Sequence, residues 1–154
     1  MEPKFVSLPA FTLVGMMMRV KPQGKVPGQL WDEFGPRMGE IRHVAGPDVA
    51  YGLTTNMDMA TGEFDYMAGM QVSSADGIRI PDGMVSFNVP AQTYAVFPCT
   101  LPTLREVFDH IYGVWLPASG YARTAGPELE LYGETFDPRD PAAVFEVYIP
   151  VQKM

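Results

Sequence analysis

Carboxylates and aromatic rings are concentrated in residues 111–132, the stretch IYGVWLPASGYARTAGPELELY. Its last six residues alternate with period two, so that Glu130 and Tyr132 share one face of a predicted strand. Just upstream, Tyr112 and Trp115 end a predicted helix. A carboxylate that faces an aromatic wall suits a ligand that is both apolar and cationic.

The elements that must position these residues are mostly strands. A helix is predicted over 29–44, with a kink at Gly35-Pro36, and a second over 103–115, opened by a capping box of Thr103 and Glu106. Strands are predicted at six places, two of them interrupted by a proline: 5–20, 49–55, 64–72, 85–100, 128–136 and 144–152.

The order strand, helix, strand, strand occurs twice, and the copies align without a gap at an offset of 81 residues. We therefore predict an α+β fold in which duplicated βαββ units form one antiparallel sheet with two helices on one face. The chain is predicted to be a single domain, 1–154, with repeat halves at about 1–76 and 82–154. The aligned pairs include Pro9 with Pro90, Trp31 with Tyr112, Tyr51 with Tyr132 and Phe64 with Phe145.

A ligand groove is predicted at the pseudo-two-fold axis, because each helix covers its own half-sheet better than the joint. Equivalent positions on the helices carry large aromatics, Trp31 and Phe34 on the first, Tyr112 and Trp115 on the second. Each one alone is more simply a core residue, but their occurrence in pairs favours groove lining. Met70 would add an adaptable apolar contact, although core filling is the simpler role for most of the 11 methionines.

The two glutamates of the last strand are interpreted differently. Glu128 is predicted to be a surface charge at the strand entry. For Glu130, a solvated position on an open sheet face and a pocket role fit the pattern equally well. The repeat favours the pocket, because the residue 81 positions before Glu130 is Val49, so that only one half carries the charge.

Composition excludes several classes of protein. A net charge of −7 and a pI near 4.7 oppose direct binding to nucleic acid. The single cysteine, Cys99, cannot form an internal disulfide, which favours a cytoplasmic location. No apolar run approaches the ~20 residues of a membrane span. No membrane partner is therefore predicted. No metal-ligand spacing, phosphate loop or nucleophile motif occurs, so no metal or cofactor is predicted either.

Several motifs in order resemble the GyrI-like small-molecule-binding domain. This family includes the effector-binding domains of multidrug-responsive transcription activators and stand-alone gyrase-inhibitor-like proteins. The resemblance implies two βαββ units of the SHS2 type around a groove for bulky, often cationic, aromatic compounds. It places the family's pocket glutamate on Glu130 and its helix-end tryptophan on Trp115. The motifs are LPAFTLVGM, FDYMAGMQV, VPAQTYAVFPC, IYGVWLPASGY, PELELY and FEVYIPV.

Three functions remain open. The first is a stand-alone effector-binding domain for a hydrophobic or cationic small molecule, with no helix-turn-helix segment ahead of it and no direct promoter binding. The second is a hydrolase of strained electrophilic (cyclopropanoid-type) toxins, with Glu130 as general base. The third is binding of gyrase or another protein, for which the acidic net charge is the only support. An exposed sheet edge would support a homodimer. The predicted ligand-binding residues are Glu130, Trp115, Tyr112, Tyr132, Trp31, Phe34, Tyr66 and Met70.

Overall fold

The computed structural model describes residues 2–24, 26–73 and 79–154. Within these ranges nine strands form an antiparallel sheet, in the order β1-β6-β9-β8-β3-β4-β2-β5, with β7 paired to β9. The sheet and its helices confirm the predicted α+β class. The strands are β1 (Lys4–Leu8), β2 (Phe11–Val20), β3 (Ala50–Thr55), β4 (Phe64–Val72), β5 (Val85–Val89), β6 (Gln92–Thr100), β7 (Tyr121–Arg123), β8 (Glu128–Tyr132) and β9 (Val144–Lys153).

The first helical segment follows the sequence pattern closely. Helix α1 (Pro27–Phe34) continues as a 3-10 turn (Gly35–Glu40), which is the predicted effect of Gly35-Pro36. Among the described residues, no helix is long and apolar enough to span a membrane.

The second helical segment differs from its prediction at both ends. Helix α2 (Leu104–His110) follows a short 3-10 turn in which the Thr103 hydroxyl contacts Thr100, so the predicted capping box with Glu106 does not form. A π turn (Ile111–Trp115) then carries the chain into α3 (Leu116–Ser119). The wider turn precedes Pro117, whose ring would clash with a carbonyl four residues back in an α-helix. The helical segment therefore continues past the predicted end at 115 and stops at Gly120, which has a φ of 79°.

The two halves exchange their first strands. Each long N-terminal strand is broken at a proline, and the part before the break crosses to the other half. Strand β1 pairs with β6, and β5 pairs with β2. Lys4 lies opposite Val96 and Val85 opposite Gly15, so these strands keep the predicted offset of 81.

The predicted offset is wrong for the last two strands of each half. Leu13 pairs with Gln71, whereas its equivalent 81 positions on, Tyr94, pairs with Pro150, so β4 and β9 are related by 79 residues. Gly69 on β4 and Tyr148 on β9 are equivalent at this offset of 79. Their ladder partners, Tyr51 on β3 and Leu129 on β8, are therefore equivalent too, which relates β3 and β8 by 78 residues.

This shift changes the counterpart of Glu130 from Val49 to Gly52. Gly52 and Glu130 also lie directly opposite each other in the ladder between β3 and β8. Residues that are both equivalent and paired lie on the pseudo-two-fold axis. Glu130 is therefore the side chain at the axis, and the other half contributes only backbone there.

The sheet face that carries the helices has two separate cores, one for each half. The first helix-side core packs Leu30 and Phe34 of α1 against Tyr66 and its neighbours on β4. The second packs Val107 and Ile111 against β6 and β9. They meet along β3 and β8, and we call this boundary the seam. A third core covers the opposite sheet face.

Strand exchange predicts that one half cannot fold alone. In a fragment of residues 79–154, β6 lacks its β1 partner and β5 lacks β2. We expect this fragment to be unfolded, or to dimerise by exchanging β5, because an isolated edge of this kind is not stable. Circular dichroism and sedimentation would show this, and a monomeric fragment with a cooperative melting transition would contradict it.

Candidate functional site

The centre of the seam is a hydrogen-bonded carboxylate. The Tyr66 hydroxyl from β4 and the Tyr132 hydroxyl from β8 both donate to Glu130 Oε1, each at 2.8 Å. The indole Nε1 of Trp31, on α1, donates to the Tyr66 hydroxyl at 2.9 Å. Two strands thus supply donors to one carboxylate oxygen, and α1 holds one of those donors in place through Trp31.

Gly52 provides the space for this arrangement. A Cβ built on Gly52 would lie 2.5 Å from Glu130 Oε1 and would also clash with the Tyr66 hydroxyl. Only a residue without a side chain fits opposite the acid. Glycine inside a strand often marks such a close approach, which is the signal by which the sequence could have revealed this residue.

The second oxygen of Glu130 is left open. The side chain is partly buried, and no described residue donates a hydrogen bond to Oε2. A carboxylate has acceptor sites on both oxygens, so Oε2 keeps the capacity to meet a donor or a cation from outside.

Burial controls the ionisation of the cluster. Burial raises the pKa of Glu130, the two tyrosine hydrogen bonds oppose this, and the nearby negative charge of Glu128 adds to the rise. Burial, and then the charge of Glu130, raise the pKa values of Tyr66 and Tyr132, so both phenols remain donors. The described residues therefore compensate a negative charge at Glu130 only in part.

Fewer aromatic rings lie beside this charge than the sequence predicted. The Trp31 ring meets the Tyr132 ring edge-on, with centroids 5.5 Å apart, and the Phe34 ring at 5.9 Å. Tyr132 also packs on Phe145 at 4.7 Å. Of the eight predicted ligand residues, Glu130, Tyr132, Tyr66 and Trp31 are brought together by direct contacts.

Three of the other predicted residues belong to the helix-side cores. Phe34 and Met70 are buried in the first core, at 0% and 4% exposure. Trp115 is buried in the second, where it packs edge-on against Phe97 at 5.2 Å. Packing in a core is the alternative that the sequence left open for each of these residues, and their part in ligand binding stays a prediction.

Tyr112, predicted as a groove-lining aromatic, makes its hydrogen bonds away from Glu130, and its part in ligand binding stays a prediction. Its hydroxyl donates to Glu128 Oε1 at 2.8 Å and accepts from Arg123 Nε at 3.1 Å. The Glu128 side chain is only 15% exposed and pairs with Arg123, so it is not the surface charge that the sequence predicted. Arg123 lies on β7, a three-residue strand that no sequence pattern indicated.

A cleft of about 610 Å³ lies elsewhere, at the end of the second half. None of the eight predicted ligand residues lines it. Among the described residues, no group of three or more His, Cys, Asp or Glu side chains is arranged to hold a metal. The cleft is lined by Ser7, Leu8, Ala91, Gln92, Thr93, Tyr121, Thr124, Val151, Gln152 and Lys153.

The fold is a duplicated βαββ sheet with both helices on one face, and comparison with known proteins shows which family of such domains the chain belongs to. The chain belongs to the Cass2 family, described as integron-associated effector binding protein, which matches residues 4–151. This confirms the resemblance to GyrI-like effector-binding domains. The chain is 40% identical over 154 residues to the transcriptional regulator BrlR of Pseudomonas aeruginosa strain PAO1. The match covers 98% of this chain but 56% of BrlR, so the chain spans about half of that relative.

Solved structures share the fold at low sequence identity. SAV2435 bound to tetraphenylphosphonium has a TM-score of 0.70 at 17% identity, covering 99% of this chain and 94% of the other. An integron cassette protein from the mobile metagenome of Vibrio cholerae has a TM-score of 0.66 at 18% identity, covering 98% and 96%.

The close contacts at Gly52 predict that even an added methyl group lowers the free energy of unfolding. In Gly52→Ala we expect a loss of about 1–3 kcal/mol in the free energy of unfolding, because the new methyl displaces Glu130 and Tyr66. Urea unfolding measures this. The control is Gly133→Ala, where an added Cβ meets no atom of the described chain within 4 Å. An equal effect of the two substitutions would contradict the proposed packing.

Proposed function

We propose that the chain binds a bulky, apolar, singly charged cation at the seam. Glu130 acts as the counter-charge, and the rings of Trp31, Tyr66 and Tyr132 form the apolar wall. The observation that carries the proposal is the half-satisfied carboxylate at the axis, with Oε1 held by two phenols and Oε2 open.

The energetics favour a cationic occupant. When Glu130 is ionised, the described residues stabilise it by neutral donors alone, which compensates its charge incompletely. A cation beside Oε2 supplies the missing charge, while its apolar groups remove the wall from water. A neutral compound of the same shape gains only the apolar contact.

Two of the similar proteins support this choice of ligand and role. Tetraphenylphosphonium, the compound bound to SAV2435, is a bulky lipophilic cation of the proposed kind. BrlR is a transcriptional regulator, so effector binding by this chain would serve to regulate transcription. A cytoplasmic location, a homodimer and the absence of direct nucleic-acid contact remain predictions.

The charge assignment predicts the effect of Glu130→Gln. We expect the affinity for tetraphenylphosphonium to fall about 10- to 30-fold, because a charge pair is lost from a partly buried site. Calorimetric titration measures it, with neutral triphenylphosphine oxide as the second probe, whose affinity is expected to change little.

Glu146→Gln is the matched control, because Glu146 is also a strand glutamate but pairs with Lys4 and is 35% exposed. Equal losses of cation affinity in the two variants, or an unchanged affinity in Glu130→Gln, would rule out Glu130 as the counter-charge.

The fluorescence of the two tryptophans can distinguish a ligand at the seam from a ligand in the second helix-side core. A bound rhodamine-type dye is expected to quench the fluorescence of Trp31, which contacts the carboxylate cluster, more than that of Trp115. The variant Trp31→Phe should therefore lose most of the quenching, and Trp115→Phe should keep it. The reverse pattern in steady-state fluorescence would place the ligand beside Trp115.

One observation favours hydrolysis as a second candidate function. The raised pKa of Glu130 and its open Oε2 are what a general base needs to activate a water. After long incubation with a strained electrophilic compound, mass spectrometry of the recovered compound distinguishes the functions. Intact compound supports binding alone, and a product heavier by one water that is absent with Glu130→Gln supports hydrolysis.

A further inference from the structure

Two carboxylates share the helix-side face of β8, but their oxygens are satisfied differently. In Glu130, both tyrosines bind Oε1 and no described residue donates to Oε2. In Glu128, the Tyr112 hydroxyl donates to Oε1 at 2.8 Å, and Arg123 Nη2 lies 3.4 Å from Oε2. Among the described residues, Glu128 is therefore paired with a positive charge and Glu130 is not.

Arg123 is held in place by more than its ion pair with Glu128. Its Nε donates to the Tyr112 hydroxyl at 3.1 Å, and its Nη1 donates to the Thr124 carbonyl at 2.6 Å. Each of the three guanidinium nitrogens thus has a different partner, a planar geometry that the single nitrogen of a lysine cannot reproduce. The Arg123 side chain is 32% exposed, so the cluster stands where water and ligands reach it.

We propose that Arg123, held by Tyr112, masks Glu128 and limits the seam to one uncompensated carboxylate, so that the site prefers ligands with a single positive charge over ligands with two. This inference rests on the proposed function, in which Glu130 is the counter-charge. It makes Arg123 a residue that determines specificity without contributing to the apolar wall.

The geometry of β8 sets the spacing at which a second charge would bind. Residues two apart on a strand are separated by about 6.8 Å and point to the same face. A dication with its charges at about this spacing would therefore meet both carboxylates once Glu128 is released. Arg123 is 32% exposed and Glu128 is 15% exposed, so loss of Arg123 leaves a mostly buried carboxylate that keeps its hydrogen bond from Tyr112. Circular dichroism therefore checks that each variant is folded before its affinities are compared.

The test compares two matched probes, benzyltrimethylammonium with one charge and p-xylylenebis(trimethylammonium) with two. Each is titrated into the full chain in competition with a bound rhodamine-type dye. In Arg123→Gln, the ratio of dication to monocation affinity is expected to rise about tenfold, because the second charge gains a partly buried carboxylate partner. Tyr112→Phe, which removes the hydroxyl shared by Arg123 and Glu128, is expected to raise the ratio by less.

Three control variants separate unmasking from a general change of charge. Arg139→Gln changes the net charge equally, at a side chain that is 89% exposed and pairs with Asp137, and should keep the wild-type ratio. Arg123→Lys keeps the positive charge and should restore most of the preference for one charge. The double variant Arg123→Gln/Glu128→Gln should return to the wild-type ratio, because no second carboxylate remains to be unmasked.

The outcomes separate this inference from the proposed function. If the wild type binds the monocation but Arg123→Gln leaves the ratio unchanged, masking by Arg123 is wrong and the proposed function stands. A ratio that rises equally in Arg139→Gln, or that stays high in the double variant, also overturns masking. A wild type that binds neither probe nor the dye overturns the proposed function, and this inference with it.

Discussion

The packing of Glu130 against Gly52 is the constraint on which the rest of the site depends. On the pseudo-two-fold axis the two halves place equivalent residues opposite each other, and here the Glu130 carboxylate occupies the space that a side chain at position 52 would need. The chain solves this by keeping a carboxylate in one half and no side chain in the other. Tyr66 and Tyr132 then approach from opposite sides of the seam and share one oxygen of the acid.

The strand exchange keeps this arrangement in register. Because β1 and β5 are paired to the opposite halves, the halves cannot slide along the seam without breaking both outer ladders. The two helix-side cores remain separate, so that the ladder between β3 and β8 is the floor between them. A rigid floor with an asymmetric charge fits a site that recognises charge and apolar bulk more than detailed shape.

Much of the fold followed from the sequence because its signals are local. Alternating strands, the prolines that break them and the Gly35-Pro36 kink each act within a few residues. The repeat offset was wrong in the later strands because residue matching cannot detect a small difference in connection length, whereas hydrogen-bond ladders report it directly. Because of that error, the sequence did not identify Gly52 as the residue opposite Glu130 that leaves space for its carboxylate.

Part of the carboxylate cluster could be grouped from the sequence for a similar reason. Glu130 and Tyr132 lie on one short strand, so alternation was enough to group them. Which helix aromatics reach the seam depends on how each helix is rotated over its half-sheet. The sequence does not encode this rotation locally, and Trp31 reaches the seam while Trp115 does not. Arg123 could not be predicted, because its role depends on the pairing of β7 with β9.

The central claim is that the Glu130 carboxylate is the counter-charge of a bound cation. Burial raises the pKa of this carboxyl in the free protein, and a bound cation lowers it, so binding releases protons at pH values near the pKa of the free protein and affinity rises with pH. Titration calorimetry with tetraphenylphosphonium, in buffers of different ionisation enthalpy between about pH 4.5 and 7, measures this release. We predict a buffer-dependent binding enthalpy that disappears in Glu130→Gln. A binding enthalpy and affinity independent of buffer and pH across this range would contradict the account.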